Sequence, residues 1–322
     1  MTAVEHDDSR SATLRAMIAL LVAMASFTLN DAFMKLVTVN MPLGEAIFIR
    51  SAFAFSFLWL ISLRFGRIQF KRAYLTTDVV VRSIAEVLAT VSFLSALMRL
   101  PIGNLMAILQ AIPLVVTAGG ALFFGMQVGW RRWLAIMAGL VGVIIVIDPR
   151  VDQFNAWALL AVFTVLCSAT RDLATRKIPK SMPSLTLTAL TTIVVAIMGL
   201  ALGLGEDWYV PSPQELGQLF IASSLIIIAY GGVIIAMRSG NFAAAAPMRY
   251  SGVVWGLLLG YVVWNEVPSA MMLFGTSIII ASGVYSFWRE RLRHQSLAVE
   301  SEPLNEGAIS TARSNRETTK SE

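Results

Sequence analysis

The stretch TLNDAFMKLVTVNMP, residues 28–42, returns 141 positions later as ATRDLATRKIPKSMP, residues 169–183. Asp31 and Lys35 are answered by Asp172 and Arg176, and Met41-Pro42 by Met182-Pro183. Gly142 finds its counterpart in Gly283 at the same shift. The chain is a duplication. Ten apolar segments surround these marks, five to each half, and an odd number of spans turns the second half upside down in the bilayer. Inverted repeats of this kind are an architecture of secondary transporters, with substrate held near the midplane between the halves.

Composition gives the class independently. Of the 322 residues 57% are hydrophobic and only 14% charged, and the apolar runs approach the roughly 20 residues that cross a hydrocarbon core of about 30 Å as a helix. The spans read as Leu14 to Val37, Gly44 to Leu63, Val79 to Arg99, Gly103 to Phe124 and Arg132 to Asp148. The second half gives Phe154 to Thr175, Ser184 to Leu204, Gly217 to Met237, Phe242 to Trp264 and Ala270 to Trp288. None alternates polar and apolar positions as a β-barrel strand would. The expected fold is therefore an all-α polytopic membrane protein, ten transmembrane helices in two inverted five-helix repeats, 14–148 and 154–288. Segment 1–13 reads as a cytoplasmic tail, and 295–322, rich in Ser, Glu, Thr and Arg, as a disordered one.

The net charge of +5 does not signal nucleic acid, because its distribution follows the membrane. Arg10 and Arg15, then Arg64, Arg67, Lys71 and Arg72, then Arg131 and Arg132, fall in alternate loops with Arg176, Lys177, Lys180, Arg238, Arg289, Arg291 and Arg293. Lys35, Arg99 and Arg150 are nearly all that the opposite side holds. The positive-inside rule then puts both termini in the cytoplasm. Trp130, Trp133, Trp157, Trp208 and Trp288 fall near span ends, as interfacial anchors do. Cys167 is the single cysteine and His6 and His294 lie in the tails, so a cysteine or histidine metal site inside the membrane is excluded, and no cofactor is expected.

Ionisable groups inside spans carry the functional signal, since each costs about 2.5–3.5 kcal/mol on insertion scales unless it faces a bundle interior or a watery cavity. Asp31 and Lys35 share one helix face with Thr28; Arg82, Glu86 and Thr90 repeat the pattern on the third span. Ser168, Asp172, Thr175 and Arg176 form a stripe on the sixth, with Arg171 beside it. One reading makes each acid the neutraliser of its own neighbouring base; the other makes them cavity groups. Arg249 has no acid within a helical turn, so its partner is a ligand, Glu86 or Asp31. Gln110, Pro113 and Thr117 line the fourth span and Pro247 opens the ninth, where a proline frees a carbonyl and permits a bend. Gly139 with Gly142, and Gly252, Gly256 and Gly260, form small-residue stripes that serve packing within one subunit or a homodimer seam.

Several stretches together resemble the EamA family of the drug/metabolite transporter superfamily, over almost the whole chain from Leu14 to Arg293. They are Asn30-Asp31-Ala32-Phe33-Met34-Lys35, Arg50, Arg82, Leu97-Met98-Arg99-Leu100-Pro101, Ala111-Ile112-Pro113 and Asn265-Glu266-Val267-Pro268. The Asn-Asp and Arg-Asp leads are similar to a bacterial branch grouped with S-adenosylmethionine uptake carriers. The resemblance implies a central cavity and the movement of small metabolites. One departure stands out: the family often closes the fourth helix of a repeat with Gly-Glu, and the first half reads Gly125-Met126-Gln127.

The expected function is a bacterial inner-membrane secondary transporter of a small polar metabolite, an amino acid or related compound, with S-adenosylmethionine uptake or exchange as the alternative. Arg249 and Arg82 are expected to take a carboxylate or phosphate, and Tyr250 and Gln110 to add neutral contacts. Asp31, Asp172 and Glu86 would meet an amine or carry a coupling proton; Pro113, Pro247, Lys35 and Arg176 would serve structure or gating. Substrate and membrane lipid are the expected partners, and no nucleic acid is. There is no Gly-x-x-x-x-Gly-Lys-Ser/Thr motif for ATP, nor an intramembrane histidine, cysteine pair or tight trio of acids for an enzyme. The short loops fit a scaffold or receptor poorly.

Overall fold

The computed structural model describes residues 3–66, 68–148, 155–179, 181–238 and 245–301, and all regular structure among them is helical. The first half comprises α1 (Ala3–Val37), α2 (Leu43–Phe65), α3 (Thr77–Leu97), α4 (Ile102–Leu109), α5 (Ile112–Phe124) and α6 (Trp130–Ile147). The second comprises α7 (Trp157–Lys177), α8 (Ser184–Gly203), α9 (Pro213–Arg238), a 3-10 turn (Ala246–Tyr250) running into α10 (Ser251–Trp264), and α11 (Ala270–Ser301). The helix α1 reaches back through most of the segment read as an N-terminal tail. The expected starts of the sixth and ninth spans, Phe154 and Phe242, lie outside the described residues, as do Arg67, Arg150 and Lys180.

Nine helical stretches among the described residues are long and apolar enough to cross a membrane, with α4 and α5 counting as one. The tenth crossing is the 3-10 turn plus α10. Five residues at 2.0 Å and fourteen at 1.5 Å rise about 31 Å, which matches the hydrocarbon core. The protein is an all-α polytopic membrane protein of two repeats.

Packing repeats the duplication. The helix α1 lies along α9 as α7 lies along α3; α2 meets α8, α4 meets α10 and α6 meets α11. Under the 141-residue shift the α1–α9 and α3–α7 contacts exchange, and the α2–α8 and α6–α11 contacts map onto themselves, as a two-fold relation between the halves requires. The fourth helix of each repeat is broken at equivalent places, between Leu109 and Ile112 and again at Tyr250–Ser251. Pro113 explains the first break, because it has no N–H for the Leu109 carbonyl. Pro247 sits in the 3-10 turn before the second. The breaks face each other: a Cβ on Gly252 would stand 3.4 Å from Gln110 Nε2.

Glycine sets the closest approaches. A Cβ on Gly142 would lie 2.8 Å from the Gly275 carbonyl oxygen, and one on Gly275 would lie 2.7 Å from that of Gly142, so α6 and α11 touch backbone to backbone. Gly139 abuts Leu114 and Ser282, and Gly256 abuts Met106. Both small-residue stripes thus serve packing inside one chain. The fourth crossing ends alike in both repeats, with Gly125 and Asn265 in the left-handed region (φ 63° and 53°), a conformation that glycine and asparagine tolerate best. The loop after α8 is pinned to α2: the Gly44 N–H donates to Glu206 Oε2 at 2.9 Å, and Trp208 fills the notch left by Gly203. Beside it the Tyr209 hydroxyl, donating to Glu215 Oε1 at 2.5 Å, is pushed up to about 12 by that bond.

Candidate functional site

A polar cavity of about 90 Å³ opens between α2, α3, α8 and α9, and Arg50, Arg82, Glu86, Thr90, Thr191 and Tyr230 line it. Spacing of four along α3 brings Arg82, Glu86 and Thr90 to one face. The α8 contribution is a run of threonines, Thr188, Thr191 and Thr192, whose hydroxyls each donate to the carbonyl four residues back. That back-bonding satisfies the hydroxyl protons and leaves the oxygens free to accept. The volume holds about three waters at their liquid share of 30 Å³ each, well short of the roughly 300 Å³ at which small-molecule sites begin.

The pairing departs from the four-apart, same-helix pairs that are one of the two readings of the spacing: Asp172 takes its neighbour Arg171, and Glu86 and Lys35 find partners outside their own helices. Glu86 is bound by Arg171 from α7, with Nη1 to Oε1 at 3.3 Å, and the same guanidinium reaches Asp172 at 2.9 Å. Arg82 is held instead by hydroxyls from the second half, Thr175 at 3.0 Å and Thr191. Among the described residues Arg82 makes no ion pair. Asp31 accepts from Asn30 Nδ2 at 2.8 Å, and the cation whose charge acts on it is Arg50. The zone thus sets Arg50, Arg82 and Arg171 against Asp31, Glu86 and Asp172, three charges of each sign. No group of three His, Cys, Asp or Glu among the described residues converges to hold a metal.

The remaining expected site residues fall in two other places. Gln110, Pro113, Pro247, Arg249 and Tyr250 gather at the breaks of the fourth helices. Arg249 is half-buried, and neither Glu86 nor Asp31, its anticipated protein partners, pairs with it. Among the described residues it makes no ion pair. Tyr250 is 5% exposed, and its hydroxyl lies where a side chain on Gly283 would be; it is seated in that notch rather than in the cavity wall.

Lys35 and Arg176 lie at opposite ends of the bundle. Lys35 leaves Asp31 and donates to Glu266 Oε1 and to the Leu100 carbonyl, both at 2.8 Å, with its ammonium 4.8 Å from the Trp264 ring centre. Glu266 also accepts the Ile102 N–H at 2.9 Å. Each such charge-assisted bond contributes about 1.5–3 kcal/mol. At the other end Arg176 leaves Asp172 and meets the sulfur of Met126 at 3.7 Å.

The sequence missed Arg171 as a bridge, Arg50 as a cavity group, and Thr191 and Tyr230 altogether. Arg50 could have been found, since it stands seven residues inside the second span without a neighbouring acid. Thr191 and Tyr230 give no such signal, because a lone threonine or tyrosine costs little in a span.

The family model described as "EamA-like transporter family" matches residues 14–148 and again 155–288. The chain belongs to that family. Its two matches coincide with the two halves that the internal shift defines. Among curated relatives, an S-adenosylmethionine uptake transporter of Rickettsia bellii is 26% identical over 84% of this chain and 92% of its own length. A riboflavin transporter of Rhizobium johnstonii is 23% identical over 87% and 93%, and a pseudopaline exporter of Pseudomonas aeruginosa 22% identical over 82% and 93%. A solved crystal structure aligns with a TM-score of 0.59 at 16% identity, covering 85% of this chain and 98% of that one, which shows the shared fold. This EamA-family protein is a multi-pass membrane transporter of small molecules.

Proposed function

We propose that this transporter is a secondary carrier for a small zwitterionic metabolite, an amino acid or a compound bearing an amino-acid group. It works by alternating access in a bacterial inner membrane with both termini cytoplasmic. The observation that carries this reading is Arg82: a guanidinium in the cavity wall, oriented by two threonine hydroxyls and bound to no carboxylate. Its planar fork suits a substrate carboxylate, which takes two parallel hydrogen bonds. Glu86 and Asp31 are the acids that would meet the substrate amine; Asp31 and Asp172 are the carriers of a coupling proton. Arg249, Gln110 and Tyr250 at the helix breaks form a second tier of contacts, met only after the fourth helices move.

S-adenosylmethionine is the second reading, favoured by the relatives of that name, and it carries the same amino-acid group. Counterflow in proteoliposomes, with amino acids, S-adenosylmethionine and nucleotide-linked metabolites, tests both. Uptake of an amino-acid-bearing compound that falls at least about a hundredfold in Arg82→Ala is the expected result. Flux of Arg82→Ala equal to wild type at equal reconstitution would overturn the assignment. A pH gradient that leaves the initial rate unchanged would remove the proton from the scheme.

A further inference from the structure

The two ends of the bundle are built on one plan with one difference. At the end of α10, Asn265 takes the left-handed cap and the Glu266 N–H donates to the Gly260 carbonyl; at the end of α5, Gly125 takes it and the Met126 N–H donates to Gly120. A side chain on Gly260 would meet Glu266 Oε2, and one on Gly120 would meet Met126 Sδ. Met126 is therefore the structural counterpart of Glu266, and Arg176 that of Lys35. Even the cation over an aromatic ring is repeated, Lys35 on Trp264 at 4.8 Å and Lys177 on Phe124 at 4.7 Å. Among the described residues, no acid meets Arg176.

We propose that Lys35 and Glu266 are the latch of one mouth of this carrier, and that Met126, in the equivalent place, gives Arg176 a weaker hold at the opposite mouth. The inference rests on the alternating-access reading above. Parting α1 from α10 and from the start of α4 breaks the Lys35–Glu266 pair, the Lys35–Leu100 bond and the Glu266–Ile102 bond together. Parting α7 from the end of α5 breaks a contact to a thioether, a weak acceptor. The cavity already lies toward that cheaper end, because Arg82 in its wall bonds Thr175, the neighbour of Arg176. The resting carrier is readiest to open on the Arg176 side, and it is held closed on the Lys35 side.

The test uses full-length protein in membrane vesicles of either orientation, with Cys167→Ser removing the single native thiol and Ile227→Cys placing a reporter in the cavity wall. A membrane-impermeant maleimide is applied to each face. The reporter is expected to label faster from the Arg176 face. Glu266→Gln raises labelling from the Lys35 face by about tenfold or more, the factor carried by one charge-assisted hydrogen bond. Met126→Glu, which supplies an acid at that place, lowers labelling from the Arg176 face by a similar factor; it stands as the test if Glu266→Gln fails to fold. A folded variant that leaves the rate at its own face unchanged overturns the latch. Counterflow on the same vesicles separates the two readings: shifted labelling without any flux sinks the carrier and not the latch, while flux with unshifted labelling sinks the latch alone.

Discussion

The cavity zone and the seam formed by α6 with α11 are made from opposite materials. Around the cavity, α2, α3, α7, α8 and α9 present arginines, acids and threonines that bind one another across helices. At the seam, Gly142 and Gly275 bring two backbones into direct contact. Side-chain bonds across a watery gap can be exchanged for bonds to water or substrate as helices part. A backbone-to-backbone glycine contact has no such substitute, because any separation leaves a void and forfeits dispersion contacts. On the alternating-access proposal, the comparison predicts which part of the bundle moves: the seam is expected to stay fixed while the cavity helices part.

The sharpest way to break that comparison is Arg171. It joins Glu86 on α3 to Asp172 on its own helix, so Arg171→Ala leaves two acids unpaired and is expected to destabilise the protein by about 3 kcal/mol or more. A thermal melt in detergent checks it; an unchanged midpoint would mean that water already neutralises the site. A step down in size is Gly275→Ala, whose Cβ would stand 2.7 Å from the Gly142 carbonyl oxygen and 2.9 Å from Val146 Cγ2. Overpacking of that kind costs about 1–3 kcal/mol. If the seam is the platform, the variant melts earlier yet transports at the wild-type rate per folded molecule. Smallest is Thr191→Val, which keeps the shape and removes one of the hydroxyls that orient Arg82. A hydrogen bond from a charged donor contributes about 1.5–3 kcal/mol, of which the remaining Thr175 bond and water retain part, so substrate affinity is expected to fall about two- to tenfold with the melt unchanged.

Much of the fold was legible because lipid imposes it. Spans near twenty residues, basic loops on one side and a 141-residue echo follow from what a bilayer accepts and from duplication, and none of them needs tertiary detail. The site was legible only on α3, where Arg82 and Glu86 share a face. The pairing was not, because local spacing favours partners four residues apart, whose interaction contributes only about 0.2–0.5 kcal/mol on a helix. Lys35 instead found Glu266, 231 residues away, where a backbone carbonyl and an aromatic ring complete its surroundings. Arg171 likewise reads as a bystander beside Asp172 until α3 is packed against α7. The missing acid at Met126 was visible as a departure from the family pattern, but its meaning required seeing Arg176 against the thioether.

Among the described residues neither Arg82, in the cavity wall, nor Arg249, at a helix break, makes an ion pair, and the account assigns the substrate to the first. Titrating purified wild type, Arg82→Ala and Arg249→Ala with the compound that counterflow identifies, by calorimetry in detergent, sets them against each other. The account predicts a loss of affinity of about a hundredfold in Arg82→Ala, near the 1.5–3 kcal/mol of a hydrogen bond to a charged group, and a change within about threefold in Arg249→Ala. Retained binding in Arg82→Ala with binding lost in Arg249→Ala would contradict it and move the site to the broken fourth helices.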